Sequence, residues 1–176
     1  MTAGDLPLLA GWLAQPHVAR WWREPSGLAD VSQKYLPCLD GRDPTELFLI
    51  EANGTPAGFI QRYLVADNPE WLRALLAAGA ADAPRAAGID YLIGDPALTG
   101  EGIGSTAIRQ FTALTLDRYP RADSMLVDVS QANVPSWRAL ERAGYTRCWA
   151  GVLDSPDPSD EGPSYLYRYR RSGFCE

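Results

Sequence analysis

Apolar and polar positions alternate along this chain in two periods. Leu6, Leu9 and Leu13 recur at helical spacing, so residues 4–15 read as a short helix. Residues 17–22, His-Val-Ala-Arg-Trp-Trp, read as an aromatic-rich break, followed by a Pro-Ser-Gly loop. Residues 28–39 read as a second helix and 47–50 as a short apolar strand. Asn53-Gly54 comes next, the strongest short hairpin signal, because both residues accept positive φ. Residues 57–65 then form the return strand, 69–81 a candidate helix, and the Ala/Pro/Gly stretch over 77–88 a loop. Residues 89–93 are a strand, and 94–105 a glycine-rich turn. Ile103, Ala107, Ile108, Phe111 and Leu114 then resume helical spacing until Tyr119-Pro120. Residues 125–129 are the next strand. Asn133 suits an N-cap, Pro135 is tolerated in a first helical turn, and Gly144 stops that helix. Strands over 145–150 and 165–169 flank an acidic, Pro-rich loop at 154–163. The order predicts an α/β fold, with a mixed sheet whose glycine-rich turn ends a central strand.

Composition narrows the picture. The chain has 176 residues, enough for a single domain over 1–176 and too few for a second large one. Apolar residues make up 46% and charged residues 22%, a globular balance. No apolar run reaches the ~20 residues of a membrane helix, and residues 1–6 do not resemble a signal peptide. Net charge is −6, which argues against a nucleic-acid partner and leaves room for a cationic substrate. Cys38, Cys148 and Cys175 show no metal-ligand spacing, His17 is the lone histidine, and no metal site is expected. An odd cysteine count fits a reducing cytoplasm, and Cys148 reads as a small buried residue.

Gly100-x-Gly102-x-Gly104 lies between a strand and a helix. Such a turn lets backbone approach a ligand closely, and amides at a helix start point at anions. The segment lacks the lysine of a Walker A loop and the G-x-G-x-x-G spacing of a dinucleotide fingerprint. A pyrophosphate in another cofactor fits better; an ordinary glycine-rich loop is the alternative.

Residues 100–105, Gly-Glu-Gly-Ile-Gly-Ser, followed by an amphipathic helix, a strand, and then Asn133 and Ala139-Leu140-Glu141-Arg142-Ala143-Gly144-Tyr145, resemble the GCN5-related N-acetyltransferase (GNAT) superfamily. Trp12-Leu13 to Trp21-Trp22, residues 28–31 and 33–37, Gly88-Ile89-Asp90, and Asp128 with Asn133 resemble the aminoglycoside 6′-N-acetyltransferases within it. The resemblance implies a mixed, mostly antiparallel sheet flanked by helices, whose splayed central strands bind coenzyme A. It implies that Thr99, Gly100, Glu101, Gly102, Ile103, Gly104 and Ser105 hold the pyrophosphate of acetyl-CoA and that Asn133 meets the pantetheine, although Asn133 also suits a helix cap. Backbone amides around Leu92 and Ile93 would stabilise the thioester oxyanion. Three features depart from the family pattern. Thr99 stands where a Gln or Arg is usual, Leu140 stands where a proton-donating tyrosine is usual, and the chain begins almost directly with its first helix.

Acetyl transfer needs a neutral amine, yet an alkyl amine with pKa near ~10 is only about one part in 10³ neutral at pH 7. Carboxylates can bind the ammonium form and accept its proton. Asp90 and Asp128 each lie inside an otherwise apolar strand, where an unpartnered carboxylate is costly. Each therefore has either a structural partner or a ligand. Under the resemblance, Asp90 is the base and a substrate anchor, and Asp128 is a second anchor. Asp67 and Glu161 are further acidic contacts, and Trp22 is an aromatic wall beside a packing Trp21. For Asp67 a helix cap, for Glu161 a solvated loop and for Trp22 core packing are the alternatives. The expected activity is acetyl-CoA-dependent acetylation of an aminoglycoside 6′-amine by direct transfer in a ternary complex, by a monomer or homodimer without nucleic-acid or membrane partners. The rivals are acylation of a lysine-like amine in siderophore biosynthesis, a non-catalytic CoA-binding module, and a protein acetyltransferase.

Overall fold

The computed structural model describes residues 1–171, so Cys175 lies outside the described residues. A 3-10 turn and helix α1 (Leu6–Leu13) lead into α2 (Pro16–Trp22) and α3 (Leu28–Leu39). The segment read as an aromatic break is therefore a helix. Pro16 occupies its first turn, where a missing N–H costs nothing, and Arg23 ends it with φ 32°. Strands β1 (Glu46–Ala52) and β2 (Thr55–Leu64) form the hairpin, with Asn53 and Gly54 at φ 53° and 76°. These are the positive values that a right-twisted two-residue turn requires.

Helix α4 (Pro69–Ala77) is shorter than its sequence pattern, and its N-terminus is capped by Asn68, whose side chain accepts a hydrogen bond from the Trp71 amide. Strand β3 (Ala86–Ile93), helix α5 (Ile103–Arg118), strand β4 (Ser124–Ser130), helix α6 (Val134–Arg142), and strands β5 (Thr146–Val152) and β6 (Pro163–Arg170) complete the chain. No strand precedes β1 among the described residues. Cys148 on β5 is exposed rather than buried.

The six strands lie in the order β1-β2-β3-β4-β6-β5, antiparallel except for β3 beside β4. This is the mixed, mostly antiparallel sheet expected. Residue parity assigns its two faces. Ala87, Ile89, Met125, Val127 and Val129 pack with Ile108 and Phe111 of α5 and Leu140 of α6. On the other face, Phe59 and Leu92 pack under α1 and α3, while Ala86 and Leu126 pack under α4. Fully buried side chains such as Phe59, Ile89 and Leu140 each contribute about 1.5–3 kcal/mol by burial.

Candidate active site

The sheet opens at β3 and β4, the one parallel pair among the described residues. Strands β3 and β4 are registered at two positions, Ala86 with Ser124 and Ala87 with Met125, and diverge beyond them. Asp90 lies three residues past Ala87 and Asp128 three past Met125, so both stand on the diverging segments. Parity turns both toward the face that carries α3 and α4. A cleft of about 710 Å³ passes through the gap. Trp22, Asp67, Asp90 and Asp128 line it, together with Tyr91 and Asn133.

Each carboxylate has a defined environment. Gln61, directly across the ladder on β2, donates from Nε2 to Asp90 Oδ2 at 2.7 Å. The Tyr63 hydroxyl donates to Asp90 Oδ1 at 3.4 Å. Burial pushes the Asp90 carboxyl up to about 6; the Gln61 bond opposes that rise and the Asp160 charge adds to it. Burial also holds the Asp128 carboxyl well above the usual range, reinforced by Asp160 and Asp90. Asp160 is raised by burial too, against the bond it accepts from the Ser155 hydroxyl. The neighbouring Asp160 carboxyl adds to the rise of Asp128, while Asp128 holds Asp160 down against its own burial. Three acids thus converge on one cleft, where a cationic ligand relieves their mutual repulsion.

The remaining acidic positions divide. Asp67 closes a 3-10 turn after β2 and stands exposed at the cleft mouth. Glu161 does not line the cleft. It is exposed and paired with Arg23 at 2.6 Å, and its neighbour Asp160 takes the inward position. Trp21 and Trp22 both line the cleft; Trp22 meets Phe59 edge-on at 5.8 Å and Trp21 lies under Arg20 at 4.5 Å. The Ser159 hydroxyl donates to the Trp22 carbonyl at 2.9 Å, which ties the acidic loop to α2. Asp160, Gln61 and Tyr63 are site residues that the sequence pattern does not single out. A single Gln inside the apolar run of β2 was the available signal for Gln61.

On the opposite face, α5 begins with Gly102 as its N-cap and no side-chain cap. Gly100 and Gly102 hold φ 86° and 81°, values that side-chain-bearing residues rarely adopt. Thr106 N donates to the Gly102 carbonyl, and the Ser105 hydroxyl turns back to the same carbonyl. Helix geometry leaves the preceding amides at 103–105 without intrahelical acceptors. The Thr99 hydroxyl donates to the Pro96 carbonyl, and Glu101 is exposed. Asn133 caps α6, accepting from Ser136 N at 3.4 Å. A sixteen-residue helix opening on unsatisfied amides beside a parted sheet fits a pyrophosphate with its pantetheine arm.

Strand alternation sorts the amides beside the gap. Gly94 N donates to Ala57 O, so Leu92, in step with Gly94, directs its amide into the β2 ladder. The amides of Tyr91 and Ile93 point toward the gap. The Ile93 carbonyl accepts from His17 Nε2 at 2.9 Å, which fixes the end of β3 to α2. A second cavity of about 770 Å³ lies between α5 and β1, lined by Phe48, Ile50, Ala107 and Phe111, and it reaches none of the three aspartates. Among the described residues there is no cluster of His, Cys, Asp and Glu suited to a metal ion, and no helix long and apolar enough to cross a membrane.

Comparison with known proteins gives a consistent picture. The family model described as an acetyltransferase (GNAT) domain matches residues 2–150. An aminoglycoside N(6′)-acetyltransferase type 1 from Klebsiella pneumoniae is 29% identical over 184 aligned residues, covering 99% of this chain and 82% of that protein. The crystal structure of the aminoglycoside acetyltransferase AAC(6′)-Ib with coenzyme A superposes with TM-score 0.81 at 29% identity, covering 97% of this chain and 92% of the other. The structure of AAC(6′)-Ib with coenzyme A and kanamycin superposes with TM-score 0.80 at 28% identity, with the same coverage.

Proposed function

The chain belongs to the GNAT acetyltransferase family, and from that premise we propose that it acetylates the 6′-amine of aminoglycosides. The observation that carries this reading is the convergence of Asp90, Asp128 and Asp160 at the sheet gap, on the face opposite the α5 cradle. A polycationic sugar supplies the charges that three crowded carboxyls lack. A lysine-like amine carries fewer cationic groups, and the three converging acids therefore favour the aminoglycoside over the siderophore rival.

Acetyl-CoA supplies an acyl group already activated as a thioester. The first turn of α5 binds its pyrophosphate through backbone amides, and Asn133 meets its pantetheine. Asp90, Asp128 and Asp160 bind the ammonium groups of the acceptor, with Asp67 at the mouth and Trp22 as an apolar wall. Asp90 takes the proton of the reacting amine. An acid pushed up to about 6 is mostly ionised at pH 7 yet basic enough to accept that proton. Gln61 and Tyr63 orient the carboxylate through two donated bonds. The Ile93 and Tyr91 amides face the gap, where a developing oxyanion needs donors. Acetyl-CoA supply and the free thiols of Cys38 and Cys148 suit a cytoplasmic enzyme.

Thiol release from acetyl-CoA, measured across a set of aminoglycosides and a lysine derivative, tests the reading. Turnover is expected with 6′-amino compounds and not with one carrying a 6′-hydroxyl. Activity confined to the lysine derivative would establish the siderophore-type reaction instead. Tight CoA binding with no turnover on either would mark a binding module.

A further inference from the structure

The reaction proposed above leaves a thiolate, and none of the acids named so far can protonate it. Asp90 lies on the α3 and α4 face of the sheet, whereas the cradle proposed for the pyrophosphate, and with it the thiol arm, lies on the α5 and α6 face. Adjacent residues of a strand point to opposite faces. Tyr91 is therefore the side chain that β3 presents on the thiol face, at the level of Asp90. It packs against the α5 and α6 core and lines the cleft. Its hydroxyl is 2.8 Å from Ser136 Oγ and 3.4 Å from the Ser136 carbonyl, in the first turn of α6. One turn along the same helix, Leu140 is fully buried and carries no proton to give.

We propose that Tyr91 is the proton donor to the departing sulfur and that Ser136 is the positioning residue that holds its hydroxyl. The inference rests on the acetyltransferase reading. As the amine nitrogen bonds the carbonyl carbon, the carbon–sulfur bond breaks and its electron pair stays on sulfur. Sulfur takes the Tyr91 Oη proton and Asp90 takes the amine proton. Exchange with water returns a proton to Tyr91 and removes one from Asp90. Burial and the Asp90, Asp128 and Tyr167 groups push the Tyr91 hydroxyl above its ordinary range, against the Ser136 bond, so it stays protonated at neutral pH. Neighbouring residues on one strand thus place a base on one face and an acid on the other.

The test titrates the thiol of CoA bound to the full chain, read by thiolate absorbance, for wild type, Tyr91→Phe and Ser136→Ala. Loss of the Tyr91 donor is expected to raise the bound thiol's pKa by about one unit, a roughly tenfold change in ionisation. Single-turnover acetyl transfer should fall about 10²-fold in Tyr91→Phe, with KM for acetyl-CoA within about twofold of wild type. Ser136→Ala should move both readouts in the same direction and by less. An unchanged thiol titration in a folded Tyr91→Phe protein would overturn the proposal. Should that variant fail to fold, an unchanged titration in Ser136→Ala would do the same. Were wild type to acetylate no amine, the acetyltransferase reading would fail and the Tyr91 step with it, whereas an unchanged thiol titration in an active wild-type background would overturn the Tyr91 step alone.

Discussion

The two mouths of the sheet gap are built from different materials. On the α3 and α4 side, the cleft is made of side chains, three carboxyls crowded into a space that raises the pKa of each. On the α5 side, the cradle is backbone, two glycines at positive φ ahead of a helix whose first amides have no intrahelical acceptors. On the function proposed above, the first would bind by charge and respond to pH, and the second would bind by shape, indifferent to side-chain chemistry but sensitive to backbone strain. A substitution should therefore damage one mouth without the other, and the kind of substitution that does so should differ between them.

The largest expected effect is at Asp90. Asp90→Asn removes the proton acceptor, and kcat/KM for a 6′-amino acceptor should fall by about 10²–10⁴-fold. Affinity for CoA should be retained. In wild type the reaction needs the ionised carboxylate, so kcat/KM should decline as pH falls through about 6, a limb that Asp90→Asn loses. Stability runs the other way. The folded pKa lies above the ordinary value of 3.8, so the stabilisation relative to an always-ionised carboxylate is full below that value and lost as pH rises through about 6. The melting temperature of ligand-free Asp90→Asn should accordingly gain on wild type across that window.

A smaller effect is expected at the cradle. Gly102→Ala forces a Cβ into a left-handed conformation at a cost of about 1–2 kcal/mol. CoA binding, followed by calorimetry, should weaken by roughly tenfold, with the aminoglycoside dissociation constant unchanged. The smallest effect separates two adjacent acids. Glu161 is exposed and paired with Arg23, so Glu161→Ala should alter stability by less than about 1 kcal/mol and aminoglycoside KM by less than about fivefold, as exposed pairs contribute about 0–1 kcal/mol. Asp160→Ala should raise that KM well beyond the Glu161 value. Equal effects from the two substitutions would remove Asp160 from the cleft's machinery.

The same division explains what could be read from the chain alone. Local signals were legible: Asn53-Gly54 as a hairpin, Gly100 and Gly102 as a tight turn ahead of a helix, and a lone charge in each of two apolar strands at Asp90 and Asp128. Each depends on spacing within a few residues. The choice between Asp160 and Glu161 does not. It is made by the Ser159 bond to Trp22 and by the Arg23 ion pair, contacts more than a hundred residues away in sequence. A loop has no period from which inward and outward positions can be counted. Gln61 was missed for a related reason, since its register against Asp90 is a property of two strands. The α2 helix is not legible in the sequence because it is seven residues long and fully buries only Val18, too little for a periodic signal.

The most direct measurement is calorimetric titration of one protein with both ligands. In the Asp90→Asn/Asp128→Asn double variant, aminoglycoside binding should be lost while CoA binds as tightly as in wild type. Loss of both, or retention of both, would contradict an account in which the sheet gap joins a side-chain cleft to an independent backbone cradle.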